Sequence, residues 1–252
     1  MSSDGPELTT IDLSDVYAPY DPDGSSYYGM YFHSGEDSST VLDGFTITGI
    51  WSPFEYTFGY CIRCEDGSGP LLRNLIVAGN RAISGGAIYS VGSNPRIEDC
   101  VFDTNFGGWK GGAIYCNGGD LVVHRTRFIG NRSNLGGAVS LNAGATSEFI
   151  DVEFIDNITN YIDGAIRVED SEFMSSGSVF TGNRSTSSSA GAIYSVSSTL
   201  TIESCTFVSN GGSSGSHLGG HLYSRSSQIE VSNSIFAFAS EGGGIYLSGT
   251  EN

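Results

Sequence analysis

The stretch from Gly85 to Asn105 reads GGAIYSVGSNPRIEDCVFDTN, and its form recurs from Gly111 to Asn131 as GGAIYCNGGDLVVHRTRFIGN. The glycine motif that opens each stretch then returns as GGAV at Gly136, DGAIR at Asp163, AGAIY at Ala190, GGHLY at Gly219 and GGGIY at Gly242. The motif that closes each stretch keeps the same phase, as Phe102/Asn105, Phe128/Asn131, Phe154/Asn157, Phe180/Asn183 and Phe207/Asn210. Up to Gly219 the copies lie 25 to 29 residues apart, which indicates a stacked repeat architecture.

Each copy contains short runs that alternate with period two and are rich in Ile, Val, Phe, Tyr and Thr. No segment has the apolar spacing of a helical repeat. Three short strands with a bend between them describe one rung of a parallel β-helix, in which each strand pairs with its equivalents one rung above and below. Fainter upstream copies bring the total to about eight or nine rungs of an all-β solenoid.

Three sets of side chains are expected to fill the lumen. The first holds Ile88, Ile114, Val139, Ile166, Ile193, Leu222 and Ile245; the second holds Leu72, Ile97, Val123, Phe149, Ile202 and Val231; the third is the Phe of each Phe-x-x-Asn motif. The paired glycines mark a turn where a Cβ would collide or φ must be positive. The repeated Asn is expected to adopt the left-handed conformation and to form an asparagine ladder, Asn80 to Asn210, between rungs.

The paired motifs GGA[I/V] and Phe-x-x-Asn resemble the repeat of the chlamydial polymorphic outer-membrane proteins and of related bacterial surface proteins with the pectin-lyase-like fold. The resemblance covers roughly residues 26–246. It implies a right-handed parallel β-helix on a secreted or surface-displayed protein, which in several relatives is an adhesin or an autotransporter passenger.

The unbroken period predicts one elongated domain at residues 28–252, continued or truncated at its C-terminal end, with residues 1–27 as a cap or lead-in segment. The chain has 28 acidic and 11 basic residues and a formal net charge of −17, which excludes nucleic acid as a partner. A solvated acidic surface is the ordinary interpretation, and a calcium site is the alternative; no other cofactor is expected. No segment is apolar enough to span a membrane, and the polar N-terminus carries no export signal, so we expect an extracellular or cell-surface protein whose signal was removed, or a segment of a longer one.

Other motifs have simpler explanations. The five cysteines fall in slots too far apart for disulfides, or on one strand, and are interpreted as small apolar residues of the core. Asn131, Asn157 and Asn183 begin glycosylation sequons, but other ladder positions have Asn without a sequon, so the turn explains the Asn better. His217 and His221 have the spacing of a metal pair, yet they lie on a loop that leads into a strand.

The outward positions carry the main functional signal. One residue after the buried Ile, successive rungs present Phe32, Arg63, Tyr89, Tyr115, Ser140, Arg167, Tyr194, Tyr223 and Tyr246. Such a stripe could simply stabilise the sheet by cross-strand stacking. Aromatic faces interleaved with hydrogen-bond donors are also what a glycan or another protein contacts.

The fold alone raises the alternative of an enzyme, since right-handed β-helices include polysaccharide lyases and hydrolases. The richest candidate segment is DGAIRVEDSEF, where Arg167 could act as a base beside Glu169 and Asp170. An ordinary charged rung surface explains the same residues. The sequence therefore predicts a non-catalytic module for adhesion or contact with a polysaccharide, surface glycan or protein, and a polysaccharide lyase or glycoside hydrolase is the alternative.

Overall fold

The computed structural model describes residues 5–6, 9–15, 26–51, 58–161, 163–186, 190–212, 219–239 and 243–249. Throughout these ranges the chain forms parallel β-strands joined by turns, and none of them contains a helix, membrane-spanning or otherwise. The strands wind into a right-handed parallel β-helix, which confirms the predicted fold class.

The strands, numbered β1 to β32 along the chain, belong to four parallel sheets that we number in the order in which the repeat visits them. Sheet 1 contains β2 (Ser26–Phe32), β5 (Phe58–Cys64), β9 (Ile88–Val91), β13 (Ile114–Asn117), β17 (Val139–Asn142), β21 (Ile166–Glu169), β25 (Ile193–Val196), β29 (Leu222–Arg225) and β32 (Ile245–Ser248). Sheet 2 contains β3 (Val41–Asp43), β6 (Leu71–Arg73), β10 (Arg96–Glu98), β14 (Asp120–His124), β18 (Thr146–Ile150), β22 (Glu172–Ser176), β26 (Thr199–Glu203) and β30 (Gln228–Ser232). Sheet 3 contains β1 (Thr10–Asp12), β4 (Thr46–Thr48), β7 (Ile76–Ala78), β11 (Val101–Asp103), β15 (Arg127–Ile129), β19 (Glu153–Ile155), β23 (Val179–Thr181), β27 (Thr206–Val208) and β31 (Ile235–Ala237). Sheet 4 contains β8 (Arg81–Ser84), β12 (Phe106–Lys110), β16 (Arg132–Leu135), β20 (Ile158–Thr159), β24 (Arg184–Ser185) and β28 (Gly211–Gly212).

The sequence predicts three strands per rung, and sheet 4 adds a fourth strand to several rungs. It lies between the Asn of Phe-x-x-Asn and the glycine motif, and its last three strands are only two residues long. These segments share no apolar alternation from copy to copy, so the period-two pattern gave no signal there. They pair because their neighbours on both sides already hold the chain in register.

The register of the strands confirms the predicted inward sets. Ile114 pairs with Ile88 on one side and with Val139 on the other, and all three side chains are fully buried. In sheet 3 the Phe rings stack on one another with centroids 4.5 to 5.0 Å apart, from Phe102 to Phe236. Each buried ring contributes roughly 1.5–3 kcal/mol by leaving water, and the stacked pairs add to this. Only at the C-terminal end are inward positions exposed: Val231 by 39% and Ile245 by 42%.

The predicted asparagine ladder is present in full. It consists of Asn80, Asn105, Asn131, Asn157, Asn183 and Asn210, each of them buried. In each step the backbone N–H and the side-chain Nδ2 of one Asn both donate to the Oδ1 of the next Asn, as Asn105 does to Asn131 at 3.0 and 3.1 Å. The same Nδ2 donates to a main-chain carbonyl one rung earlier, that of Val77 in the case of Asn105. The ladder therefore ties three successive rungs at every member from Asn80 to Asn183.

The ladder ends at a histidine. Ala239 stands where the next turn would place an Asn, and the Nδ2 of Asn210 instead lies 3.1 Å from Nδ1 of His221. His221 is 1% exposed, and burial lowers its pKa, so the neutral imidazole accepts this hydrogen bond at Nδ1. His221 occupies the place of the Ala in the GGA motif. The His221 side chain, which belongs to the glycine motif, thus takes the place of the missing Asn and completes the ladder.

The turns correct one detail of the prediction. The ladder asparagines do not have positive φ; the residue before each of them does, as with Gly79, Thr104 and Gly130. The left-handed residue bends the strand, and the Asn that follows points its side chain along the stack. The glycine pair is confirmed in both of its roles. Gly111 has a φ of 63°, and a Cβ on Gly112 would overlap the carbonyl oxygen of Gly137 in the next rung.

The N-terminal segment contributes to the solenoid before Tyr28. Strand β1 pairs with β4 in sheet 3, and the side chain of Leu13 is buried in the core. Strand β2 then begins sheet 1 at Ser26. Most of the lead-in segment predicted at residues 1–27 lies outside the described residues.

All five cysteines are buried and free. Burial raises the pKa of the Cys64, Cys100 and Cys116 thiols to about 12, so these side chains stay neutral. The three sequon asparagines, Asn131, Asn157 and Asn183, are fully buried members of the ladder. Their amide nitrogens are therefore engaged in the core rather than presented for glycosylation.

Candidate functional site

The outward face of sheet 1 carries a continuous column of aromatic and cationic side chains, which we call the tyrosine–arginine column. Its members, one per rung, are Tyr31, Arg63, Tyr89, Tyr115, Ser140, Arg167, Tyr194, Tyr223 and Tyr246. Each follows a residue in an inward slot, because neighbours on a strand face opposite sides. The structure thus aligns every predicted stripe residue from Arg63 to Tyr246 on one face.

One predicted position is wrong. Tyr31, and not Phe32, pairs with Arg63, while Phe32 pairs with Cys64 and packs against the core. The GYCIRC strand resembles the glycine motif too weakly to fix the register of the strand before it. Tyr31 also makes a specific contact, since its hydroxyl donates to Oε2 of Glu65 at 2.8 Å. Burial, followed by this hydrogen bond, raises the pKa of Tyr31 to about 12.

The rings of the column stack on one another. The Tyr194 and Tyr223 rings are parallel within 3° at 5.2 Å, and Tyr246 follows Tyr223 at 5.0 Å. Tyr89 and Tyr115 lie 5.3 Å apart at 33°. The guanidinium of Arg63 covers Tyr31 at 4.9 Å, and that of Arg167 covers Tyr194 at 5.3 Å. Ring faces are therefore largely engaged within the column. Tyr194 is only 5% exposed, and at the half-buried Tyr89, Tyr115, Tyr223 and Tyr246 the ring edges reach solvent.

A polar network bridges the one rung without a large side chain. Ser140 is buried between Tyr115 and Arg167, and side chains from neighbouring rungs close over it. Lys110 lies 5.7 Å from the Tyr115 ring and donates to Oδ1 of Asn142 at 3.0 Å. Nδ2 of Asn142 donates to Glu169 at 3.1 Å, and Glu169 pairs with Arg167 at 3.0 Å. The column is thereby continuous across all nine strands of the sheet.

Arg167 is held by two carboxylates. Its guanidinium contacts Asp163 at 2.7 Å and Glu169 at 3.0 Å. Burial acts to lower the pKa of Arg167, but the two carboxylates outweigh it and raise that pKa above its ordinary value. Asp163 is fully buried, and burial raises its pKa to about 6 despite the adjacent Arg167. Its Oδ2 has no hydrogen-bond partner among the described residues.

These contacts bear on the catalytic candidates. Glu169 lies beside Arg167 as expected, whereas Asp170 is exposed in the turn that follows β21, with a φ of 48°. To act as a base, Arg167 would first have to lose a proton, and both of its ion pairs stabilise the protonated guanidinium. Asp163 could carry a proton near neutral pH, but its side chain has no exposed surface from which to transfer it.

Sequence reasoning missed three contributors to this face: Lys110, Asn142 and Glu65. Lys110 comes from sheet 4, which the pattern did not predict. Asn142 and Glu65 occupy places outside the two recognised motifs, and their contacts join residues up to 34 positions apart. The signal that could have found them is charge: acids and amides recur beside the cationic members of the column.

Metal ligands are absent from this face as far as the structure describes it. No three His, Cys, Asp or Glu side chains converge in the described ranges in a way that could hold a metal ion. His217, one half of the histidine pair considered above, lies outside the described residues, and its partner His221 ends the asparagine ladder.

Comparison with known families gives one match. Residues 99–117 match the sequence model of the Chlamydia polymorphic membrane protein repeat. These residues include the Phe102/Asn105 motif, strand β12 and the following glycine motif, so the match covers the turn from sheet 3 through sheet 4 to sheet 1. Searches among curated proteins and solved structures found no match. The chain is thus a parallel β-helix repeat protein whose repeat resembles that of the Chlamydia polymorphic membrane proteins.

Proposed function

We propose that this protein is a non-catalytic contact module of the cell surface or extracellular space, and that it binds a glycan chain or a protein surface through the tyrosine–arginine column. The observation that supports this most directly is the continuity of the column. Tyrosine or arginine occupies the same outward slot in eight of nine rungs, although packing of the lumen places no demand on these positions.

The mode of contact follows from the stacking. Because the ring faces are largely covered by neighbouring rings and guanidinium groups, a ligand meets ring edges and tyrosine hydroxyl groups. Hydroxyl groups donate and accept hydrogen bonds, as do the hydroxyls of sugars and the amides of proteins. The cations of the column are already paired, Arg63 with Glu65 and Arg167 with Asp163 and Glu169. The proposed ligand is therefore bound through neutral hydrogen bonds, and a polyanion is disfavoured.

Surface location belongs to the same proposal. It is supported by the match of residues 99–117 to the repeat of a membrane protein family and by the strongly acidic composition, with a net charge of −17. An elongated solenoid also suits display of a long contact surface.

The test replaces tyrosine by phenylalanine, which keeps the stack and removes only the hydroxyl. We expect the double variant Tyr115→Phe/Tyr223→Phe to fold with an unchanged melting temperature and to bind immobilised neutral polysaccharides and glycoproteins at least about fivefold more weakly. Uronate polysaccharides complete the panel as substrates for the enzyme alternative. Tyr161→Phe, at an exposed tyrosine outside the column, is the control and should bind like the parent chain.

Two results would count against the proposal. One is unchanged binding in the double variant, which would make the column purely architectural. The other is release of reducing sugars or unsaturated products from any polysaccharide of the panel, which would favour the enzyme alternative; loss of that release in Arg167→Lys would then locate the activity.

A further inference from the structure

The outer face of sheet 2 contains a groove that is separate from the tyrosine–arginine column. Two outward columns line it in register: Asp120, Thr146, Glu172 and Thr199, and beside them Val122, Glu148, Met174 and Thr201. The cavity has a volume of about 410 Å³. A second cavity of about 510 Å³ adjoins it along the turns that follow sheet 1 and shares Glu172 and Thr199 with it.

The groove brings together several acids that have no basic partner in the described part of the chain. Elsewhere some acids are paired, as Asp43 is with Arg73 at 2.7 Å in the N-terminal part of sheet 2 and Glu153 with Arg127 at 2.9 Å on sheet 3. Around the groove, the described residues show no ion pair for Asp120, Asp170 or Glu172, and Glu148 approaches only the imidazole of His124, at 3.8 Å. Neither a lysine nor an arginine is among the described residues that line the two cavities.

The floor of the groove adds an apolar contact. Met174 is 43% exposed, although its register partners Glu148 and Thr201 are polar. Met is a flexible side chain that adapts to different apolar partners. The groove therefore combines unpaired negative charge with one accessible apolar side chain.

A metal ion and a sugar fit this arrangement poorly. Asp120 and Glu172 are two rungs apart, about 9.6 Å by strand spacing, which is too far for both to coordinate one calcium ion. The one aromatic ring that lines the groove, Phe173, is 2% exposed, so no ring face is available for a sugar.

We propose that this groove binds a short extended segment of a partner protein that carries lysine or arginine side chains and at least one apolar side chain. Charge complementarity selects basic residues in the partner, since the carboxylates of the groove have no lysine or arginine beside them among the residues that the structure describes and the whole chain is strongly acidic. The four rungs that line the first cavity span about 14 Å, the length of roughly four to five residues in extended conformation. The apolar side chain packs on Met174, and the cations reach Asp120, Glu148 and Glu172.

The test titrates the intact chain into a fluorescent synthetic peptide of alternating lysine and leucine and follows its anisotropy. A peptide of alternating glutamate and leucine serves as the ligand control. We expect the basic peptide to bind, and its affinity to fall as salt is raised. Asp120→Asn/Glu172→Gln should weaken binding about tenfold, and Met174→Gln should weaken it severalfold without changing its salt dependence.

A matched variant separates the groove from the general charge of the chain. Asp66→Asn/Glu203→Gln removes the same two charges from exposed positions outside both cavities, and we expect it to bind the basic peptide like the parent. An equal loss in this control would overturn the proposal in favour of diffuse electrostatic attraction. Absence of binding, or an unaltered affinity in Met174→Gln and the groove double variant, would overturn it as well. None of these outcomes affects the proposed role of sheet 1, which lies on a different face.

Discussion

Asn131 shows how much of the fold a single residue type can specify. Its Nδ2 donates to the Phe102 carbonyl at 2.9 Å and to Oδ1 of Asn157 at 3.0 Å, and its own Oδ1 accepts two hydrogen bonds from Asn105. All of these groups are buried. An aliphatic side chain could fill the volume but would take these partners away from the backbone N–H of Asn105 and the carbonyl of Phe102.

The first prediction therefore concerns Asn131→Ala. We expect it to lower the free energy of unfolding by at least about 2 kcal/mol, because buried donors and acceptors lose their partners. Urea unfolding followed by circular dichroism measures this. Asn117→Ala is the control, since Asn117 is half-buried and outside the ladder; its effect should stay within about 0.5 kcal/mol. Equal midpoints for the two variants would refute the energetic importance of the ladder.

The second prediction concerns Asp163 and pH. Its pKa in the folded chain is raised, chiefly by burial, from 3.8 to about 6. The folded state thus binds this proton more tightly than the unfolded state does. The stability contributed by the proton is fully present below the unfolded pKa and is lost as pH rises through about 6. We expect Asp163→Asn to remove this component, so that the difference in unfolding free energy between variant and parent grows in favour of the variant from pH 4 to pH 7. A difference independent of pH would contradict the raised pKa.

Among the elements, the turn that begins sheet 1 is the least tolerant of change. Gly112 leaves no room for a side chain beneath Gly137, because the backbones of successive rungs touch there. Gly108, in strand β12, has its nearest neighbour 3.5 Å from the place a Cβ would occupy. The two glycines are four residues apart in one rung, yet only one is sterically required.

This contrast gives the third prediction. Gly112→Ala should destabilise the chain by about 3 kcal/mol or more, since it must push apart two main chains and not merely a side chain. Gly108→Ala should be neutral or slightly stabilising. Thermal unfolding of the two variants, side by side, measures the difference. A melting temperature of Gly112→Ala within a degree or two of that of Gly108→Ala would show that the main chains of successive rungs do not touch at this turn.

The elements also show which features a single sequence can predict. Three sheets, the glycine turn and the ladder were predictable because each depends on one residue type that recurs at a fixed phase. Sheet 4 was not, since its strands are held by pairing alone and Arg81, Phe106 and Ile158 share no pattern. The left-handed turn residues, among them Thr104 and Arg125, were missed for a similar reason: the bend constrains φ but accepts many side chains. The Lys110–Asn142–Glu169 network needed side-chain directions across rungs, which alternation does not supply.

Over the whole molecule, stability is a chain of nearest-neighbour contacts between rungs. The Phe stack makes this explicit, because each interior ring has one partner above and one below. Phe154 lies 4.9 Å from Phe128 and 4.8 Å from Phe180, whereas Phe236 stacks on Phe207 alone and is only partly buried. The cost of removing a ring should therefore depend on its place along the axis.

The last prediction compares these two rings. Phe154→Ala leaves a cavity in the middle of the stack and should cost about 3–5 kcal/mol, while Phe236→Ala removes a half-covered ring and should cost roughly half as much. Amide hydrogen exchange should differ in location too. In Phe154→Ala, protection should fall in the rungs on both sides, including β15 and β23; in Phe236→Ala, the loss should be confined to strands from β27 onward. Uniform loss of protection in both variants would mean that the solenoid unfolds as one cooperative block, and that the stack does not transmit stability rung by rung.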